Sequence, residues 1–280
     1  MHRYLIACAL VTSLLCASAS AARPLWEERH GLTADDFEKT TKQLAERGYR
    51  PVQISAAVVG KELRFAAIWE KHADAPPTET RHNLTDKQYE KTADELKEKG
   101  FRPVEVRGYE VDGEARFAAI WEKAPKDAPA REAHHALTSD DYRKVYAELT
   151  KKGYRPLQVS GYAIGKETRY ATIWEKEPKN APAWHTRRDL TAEQYQDVFD
   201  EQLKMGHRIV HVSGYTIDGQ ERFAGVWEAA TTGWYGHHGL DTKQFDAAMA
   251  KLKGQGLRPV QVSIYAVGGQ ARYAGAWVND

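Results

Sequence analysis

The sequence predicts an α+β protein built from five tandem copies of one helix plus β-hairpin unit, each about 52 residues long. Three observations carry that expectation. Trp69, Trp121, Trp174, Trp227 and Trp277 follow one another at intervals of 52, 53, 53 and 50 residues. Gly48, Gly100, Gly153, Gly206 and Gly256 repeat the same four intervals, and between each glycine and its tryptophan two alternating runs flank a turn pair. A period held by two independent landmarks marks one supersecondary unit copied along the chain.

Residues 1–22 read as a secretory signal. Arg3 precedes an apolar run from Tyr4 to Leu15, and the small residues Ala17 to Ala22 offer a cleavage site near Ala19 to Ala22. The run is too short for a membrane span, which needs roughly 20 apolar residues. Acylation at Cys16 would want small residues before it, and Leu14 and Leu15 stand there instead. Both cysteines, Cys8 and Cys16, fall inside this segment, so the exported chain is expected to hold together without disulfides. With Arg3 removed, 39 basic side chains face 39 acidic ones, mixed along every segment. Such a balance steers toward neither nucleic acid nor an anionic membrane. The expected organisation is a single repeat domain over 23–280, with units at about 26–71, 78–123, 131–176, 184–229 and 234–280.

Each unit opens on a helix signal. Thr33, Thr85, Thr138, Thr191 and Asp241 follow a leucine and supply capping oxygens, with Gln88, Gln194 and Gln244 placed as capping-box partners. Apolar residues then recur at helical spacing, as in Tyr142, Val145, Tyr146 and Leu149, and the helix ends at the periodic glycine. A hairpin follows, turning at Gly60-Lys61, Asp112-Gly113, Gly165-Lys166, Asp218-Gly219 and Gly268-Gly269. Counting outward from Asp112-Gly113 sets Tyr109 opposite Arg116, Gly108 opposite Phe117, Val106 opposite Ala119 and Val104 opposite Trp121. One face, with Val104, Val106, Gly108, Phe117, Ala119 and Trp121, is expected under the helix. The reverse face carries Glu105, Arg107, Tyr109, Arg116, Ala118 and Ile120.

Two strands and one helix bury a core poorly, so neighbouring units must stack. Segments Lys71 to Arg81, Lys123 to Ala133 and Lys176 to Arg187 read as surface connectors. Both terminal units keep the common apolar pattern, which favours a closed pseudo-fivefold ring; an open solenoid is the alternative, supported by Thr40 and Thr41 in the first helix.

The text from Tyr142 through Glu175, with G-Y-R-P-x-x-V-S-G-Y and a following R-Y-A-x-x-W-E, resembles the bacterial tandem repeat domain family, and all five copies share it with changes. The Trp26/His30 and Trp234/His238 lead-ins are similar too. Related repeats precede a β-lactamase-like serine hydrolase domain in polyglycine hydrolases, which implies an accessory role for the repeats.

No Ser-x-x-Lys occurs in the sequence, and Ser139 is followed by Asp140, Asp141 and Tyr142. Ser55, Ser160, Ser213 and Ser263 recur in equivalent strands, which suits packing or binding better than a single catalytic constellation. His30, His82, His135 and His238 share one position, where Arg188 breaks the series, and are read as packing residues; His207 and His211 are about 13 Å apart on a strand, too far to share a metal. No metal or cofactor is expected. The ligand-binding candidates are Tyr109, Arg116, Tyr162, Arg169, Tyr215, Arg222, Tyr265 and Arg272, with Gln158 and Gln261, either as an internal Tyr–Arg ladder or as a polar aromatic surface. The expected function is a secreted or periplasmic, non-enzymatic scaffold binding an extended peptide or glycan of the cell envelope. An accessory subunit of a separately encoded serine hydrolase is the alternative, and an enzyme the third reading.

Overall fold

A computed structural model describes residues 23–279 of the chain; the expected signal segment lies outside them. Unit one comprises β1 (Leu25–Leu32), α1 (Ala34–Glu46), β2 (Arg50–Val59) and β3 (Glu62–Lys71); unit two β4 (Thr78–Leu84), α2 (Asp86–Glu98), β5 (Phe101–Val111) and β6 (Glu114–Lys123). Unit three has β7 (Arg131–Leu137), α3 (Ser139–Lys151), β8 (Tyr154–Ile164) and β9 (Glu167–Lys176). Unit four has β10 (Trp184–Leu190), α4 (Ala192–Lys204), β11 (His207–Ile217) and β12 (Gln220–Ala229); unit five has β13 (Gly233–Leu240), α5 (Thr242–Gly254), β14 (Arg258–Val267) and β15 (Gln270–Asn279).

The helices begin where the capping oxygens predict. Each cap side chain accepts the amide of the third helical residue, and α2, α4 and α5 have the full capping box. The periodic glycines after the helices all take positive φ, from 72° to 82°, which ends each helix and turns the chain into the hairpin.

Each sheet has three strands rather than two. The lead-in strand pairs antiparallel with the second hairpin strand, giving the order β4-β6-β5 and its equivalents. Part of each expected connector is therefore strand. These edge strands are half-buried on both faces and short, so their sequences lack clean alternation. Each breaks register just before the capping leucine, at a positive-φ residue: Gly31, Asn83, Ala136, Asp189 or Gly239. The hairpin register holds from the turn down to Glu105↔Ile120 and then slips. Pro103, not Val104, faces Trp121, because a bulge adds one residue at Val104; the same bulge recurs in all five hairpins.

The cores are shared between consecutive units. Phe37 and Leu44 of α1 pack on Ile54, Phe65 and Trp69 of their own sheet and on Tyr109, Ala118 and Ile120 from the reverse face of the next sheet. Neither unit could bury this surface alone. Packing between the first hairpin strands runs β2 to β5, β8, β11 and β14, and from β14 back to β2. In the core of unit five, Phe245, Leu252 and Trp277 meet Ala66 and Ile68 of unit one. The array thus closes on itself, with five separate sheets and no continuous hydrogen-bonded barrel.

Candidate functional site

The first hairpin strands form the inner edge of every sheet, and the closed arrangement gathers them around one axis. At the hairpin-turn end they line a pocket of about 270 Å³ with residues from all five units: Ala56 to Val58, Gly108 to Glu110, Gly161 to Ala163 with Gly165, Gly214 to Thr216 and Ile264 to Ala266. Three of the lining glycines, Gly108, Gly161 and Gly214, face the neighbouring unit. Those glycines are required by the neighbour. A Cβ on Gly214 would sit 2.5 Å from the Tyr265 ring, and Gly108 and Gly161 stand in the same relation to Tyr162 and Tyr215. The aromatic ring that covers each glycine therefore comes from the next unit as well as from its own hairpin partner.

One junction inverts this pair. Unit five carries Ile264 where units two, three and four have glycine and unit one has Ala56, and unit one carries Ala57 where the others have tyrosine; Ile264 and Ala57 share a core cluster at the seam. The large group has simply changed sides.

Farther from the turns the axis is polar and buried. Gln53, Glu105, Gln158, His211 and Gln261 occupy one equivalent position, and Ser55, Arg107, Ser160, Ser213 and Ser263 the next. Open strand edges need partners for their backbone groups. Here side chains of the following unit supply them: Gly161 and Gly214 donate their amides to Ser213 and Ser263 Oγ at 3.1 and 3.0 Å. Ile264 donates to Ser55 Oγ at 3.0 Å across the seam, and Gln158 accepts the Val106 amide at 3.1 Å while donating to its carbonyl. Ser55, Ser213 and Ser263 are thus backbone partners.

Units two and four depart from this pattern. Arg107 crosses the axis, donating to Glu105 at 2.5 Å, to the Val212 carbonyl at 3.1 Å and to Gln53. Gln53 in turn donates to Glu105 at 2.8 Å. His211 lies 3.8 Å from Glu105, too far for a hydrogen bond, and neither ring nitrogen has a hydrogen-bond partner among the described residues. Burial, reinforced by the Arg107 charge, pulls its pKa down to about 4.

The sequence-derived candidates divide between these layers. Tyr109, Tyr162, Tyr215 and Tyr265 line the axial pocket but are at most 4% exposed, wedged between units. Tyr109 Oη accepts the Asn83 amide at 2.9 Å, Tyr215 donates to Asp189 at 2.7 Å and Tyr265 to Glu221 at 3.0 Å. Burial pushes all four phenols well above their usual range, so they stay protonated. Gln158 and Gln261 are buried in the polar layer. Arg116, Arg169, Arg222 and Arg272 are half-buried outside the pocket, and the first three turn to Glu114, Glu167 and Gln220 on their own strands. Each tyrosine and its arginine do share a sheet face, but no cation–π contact joins them among the described residues; the tyrosine is held inside the ring and the arginine reaches outward.

The equivalent histidines staple units together. His82 meets Glu38, His135 meets Asp86, His238 meets Gln196 and His30 meets Asp246, each at 3.0 to 3.2 Å on the helix of the preceding unit. Each ring also packs edge-on or tilted against two aromatic rings of that unit. Asp86, Glu90 and His135 bring one ligand atom each within 4.8 Å of the others. At the other junctions the histidine meets the residue equivalent to Glu90 (Glu38, Gln196 or Asp246), so Asp86 is the member particular to this junction.

Helix-and-sheet units stacked about an axis, with every junction made from the same few positions, define a tandem structural-repeat protein. Residues 23–72, 75–124, 128–177, 181–230 and 231–280 each match the repeat described as polyglycine hydrolase-like, structural repeat. The chain belongs to that family. Among the described residues no helix is long and apolar enough to cross a membrane.

Proposed function

We propose that the chain is an exported, non-catalytic binding scaffold whose axial pocket receives part of an extracytoplasmic peptide or glycan. The observation that carries this reading is the pocket itself, built from equivalent strands of all five units and open at the hairpin-turn end. Its volume, near the lower end of small-ligand pockets, suits one sugar ring or one or two residues of an extended chain. Strand backbone and the Glu110 carboxylate, which accepts the Gly165 amide at 2.8 Å, offer polar contacts without an evident nucleophile and base. Consistent with a non-catalytic role, Ser55, Ser213 and Ser263 are occupied as backbone acceptors and the recurrent histidines as staples.

Binding of peptidoglycan fragments and envelope glycans to residues 23–280, read by calorimetry, tests this against the variant Ala163→Trp. Ala163 is a half-buried pocket residue whose replacement fills the pocket mouth. A ligand bound by the parent should be lost by the variant at unchanged melting temperature; equal binding by both would refute the axial site. The family description supports a second reading, in which the scaffold serves a separately encoded hydrolase. Co-purification of such an enzyme on the tagged scaffold would favour it.

A further inference from the structure

Five copies of one junction allow each copy to be judged against the other four, and the junction between units three and four departs from them in charge. At the position of the stapling histidine stands Arg188, and the helix position occupied elsewhere by an acid or an amide, Glu38, Glu90, Gln196 and Asp246, holds Arg143. A third change adds to these. Arg29 and Arg81 on the lead-in strands pair with Glu27 and Glu79 at 3.0 and 2.9 Å. The equivalent Arg187 finds His185 in place of that glutamate, because the partner of the core tryptophan is Glu27, Glu79 and Glu132 in the first three units and His185 in the fourth. Arg187 is exposed, its only hydrogen bond goes to the Thr186 carbonyl at 3.0 Å, and it has no carboxylate partner among the described residues.

These three changes converge on one groove. Between α3 and β10 lies a cavity of about 500 Å³ lined by Ser139, Tyr142, Arg143, Tyr146, Thr186, Arg187, Arg188 and Asp189. Asp189 is already taken: it accepts from Tyr215 and Tyr170 and pairs with Arg188. Arg188 is likewise held, its guanidinium centred 4.5 and 4.6 Å over the Tyr142 and Tyr170 rings and donating to Ser139 Oγ at 3.0 Å. It fills the histidine's place as a staple, with its charge paired to Asp189 at the groove floor. Arg143 is exposed and pairs only with exposed Asp140, a contact easily exchanged in water. The groove therefore presents Arg187 and Arg143 above the half-buried Arg188–Asp189 pair, beside the half-buried ring of Tyr146, itself 5.7 Å from Trp174.

We propose that this groove binds an acidic saccharide, its carboxylate held by Arg187 and Arg143 and its sugar ring laid on Tyr146. Planar guanidinium groups match a carboxylate in bidentate geometry. An aromatic face with a polar edge suits the mixed surface of a sugar. The site is distinct from the axial pocket and stands whether or not that pocket binds a ligand.

Calorimetry with a galacturonic acid trisaccharide, its carboxyl-reduced neutral counterpart and inorganic phosphate tests the proposal. Arg143→Gln and Arg187→His, combined, install the residues that units four and five carry at these positions, and so preserve the junction. The acidic trisaccharide should bind the parent at least tenfold tighter than either other probe. The double variant should lose at least tenfold in affinity at unchanged melting temperature, and Ala163→Trp should lose none. No binding to the parent, equal binding of the neutral sugar or of phosphate, full affinity in the double variant, or loss in Ala163→Trp would each overturn it.

Discussion

The glycine and tyrosine that meet at each junction show how a single side chain decides what its neighbour in the next unit can be. Gly161 admits the Tyr215 ring, and the ring's hydroxyl reaches Asp189. Where tyrosine is absent, at Ala57, the facing residue is Ile264. Transplanting the seam pair should therefore show coupling. Gly161→Ile alone overpacks the junction, at a cost of about 1 to 3 kcal/mol. Tyr215→Ala alone leaves a cavity and costs about 3 to 5 kcal/mol. The double variant should be more stable than the sum of the two by about 1 to 3 kcal/mol, measured by urea unfolding. Strict additivity would mean that the two positions do not meet. Ala56 and Tyr109 share a core at the first junction, so one methyl is tolerated at this position.

At the scale of elements, the helices and hairpins were legible because each carries its own local chemistry. Thr85 with Gln88 announces α2, and Asp112-Gly113 fixes the Tyr109↔Arg116 register. The lead-in strands were not legible, since an edge strand such as Arg131–Leu137 is half-exposed on both faces and owes its place to a partner 40 or so residues away, as in Arg131↔Glu175. The bulge at Val104 was hidden for a related reason: nothing in the alternation of a strand reveals an unpaired residue in it. Site residues followed the same rule. Tyr109 and Gln158 could be placed on a face from the register, but whether that face met solvent or another sheet depends on the next unit. The basic groove was open to inspection in the aligned repeats, where Arg143, His185 and Arg188 each break a series. It was missed because three single departures carry no meaning until the fold brings them to one junction.

For the whole molecule, the polar axis ties non-adjacent units together and gives stability a pH dependence. His211 of unit four faces Glu105 and Arg107 of unit two, with a pKa of about 4 against an ordinary value of 6.5. The unfolded chain therefore takes up a proton before the folded one does as the pH falls. This contribution is constant above about pH 6.5 and is lost progressively toward pH 4, at up to about 1.4 kcal/mol per pH unit. His211→Gln, which gives unit four the residue of units one, three and five, should lose less stability than the parent between pH 6.5 and 4.5 in urea titrations. Equal losses would remove His211 from the account.

Closure of the five units is what creates both the axis and its pocket. Arg258 of unit five meets Glu70 of unit one at 2.6 Å, as Arg155 of unit three meets Glu228 of unit four at 3.5 Å inside the array. Residues 23–280 contain no cysteine, so a pair of cysteines can be introduced at either place without competition. A short bismaleimide should join Arg258→Cys to Glu70→Cys within one chain as efficiently as it joins Arg155→Cys to Glu228→Cys, as read by mass spectrometry of the peptides. Efficient joining at the internal junction with none at the seam would mean that the first and last units stand apart, and that the axial pocket does not exist.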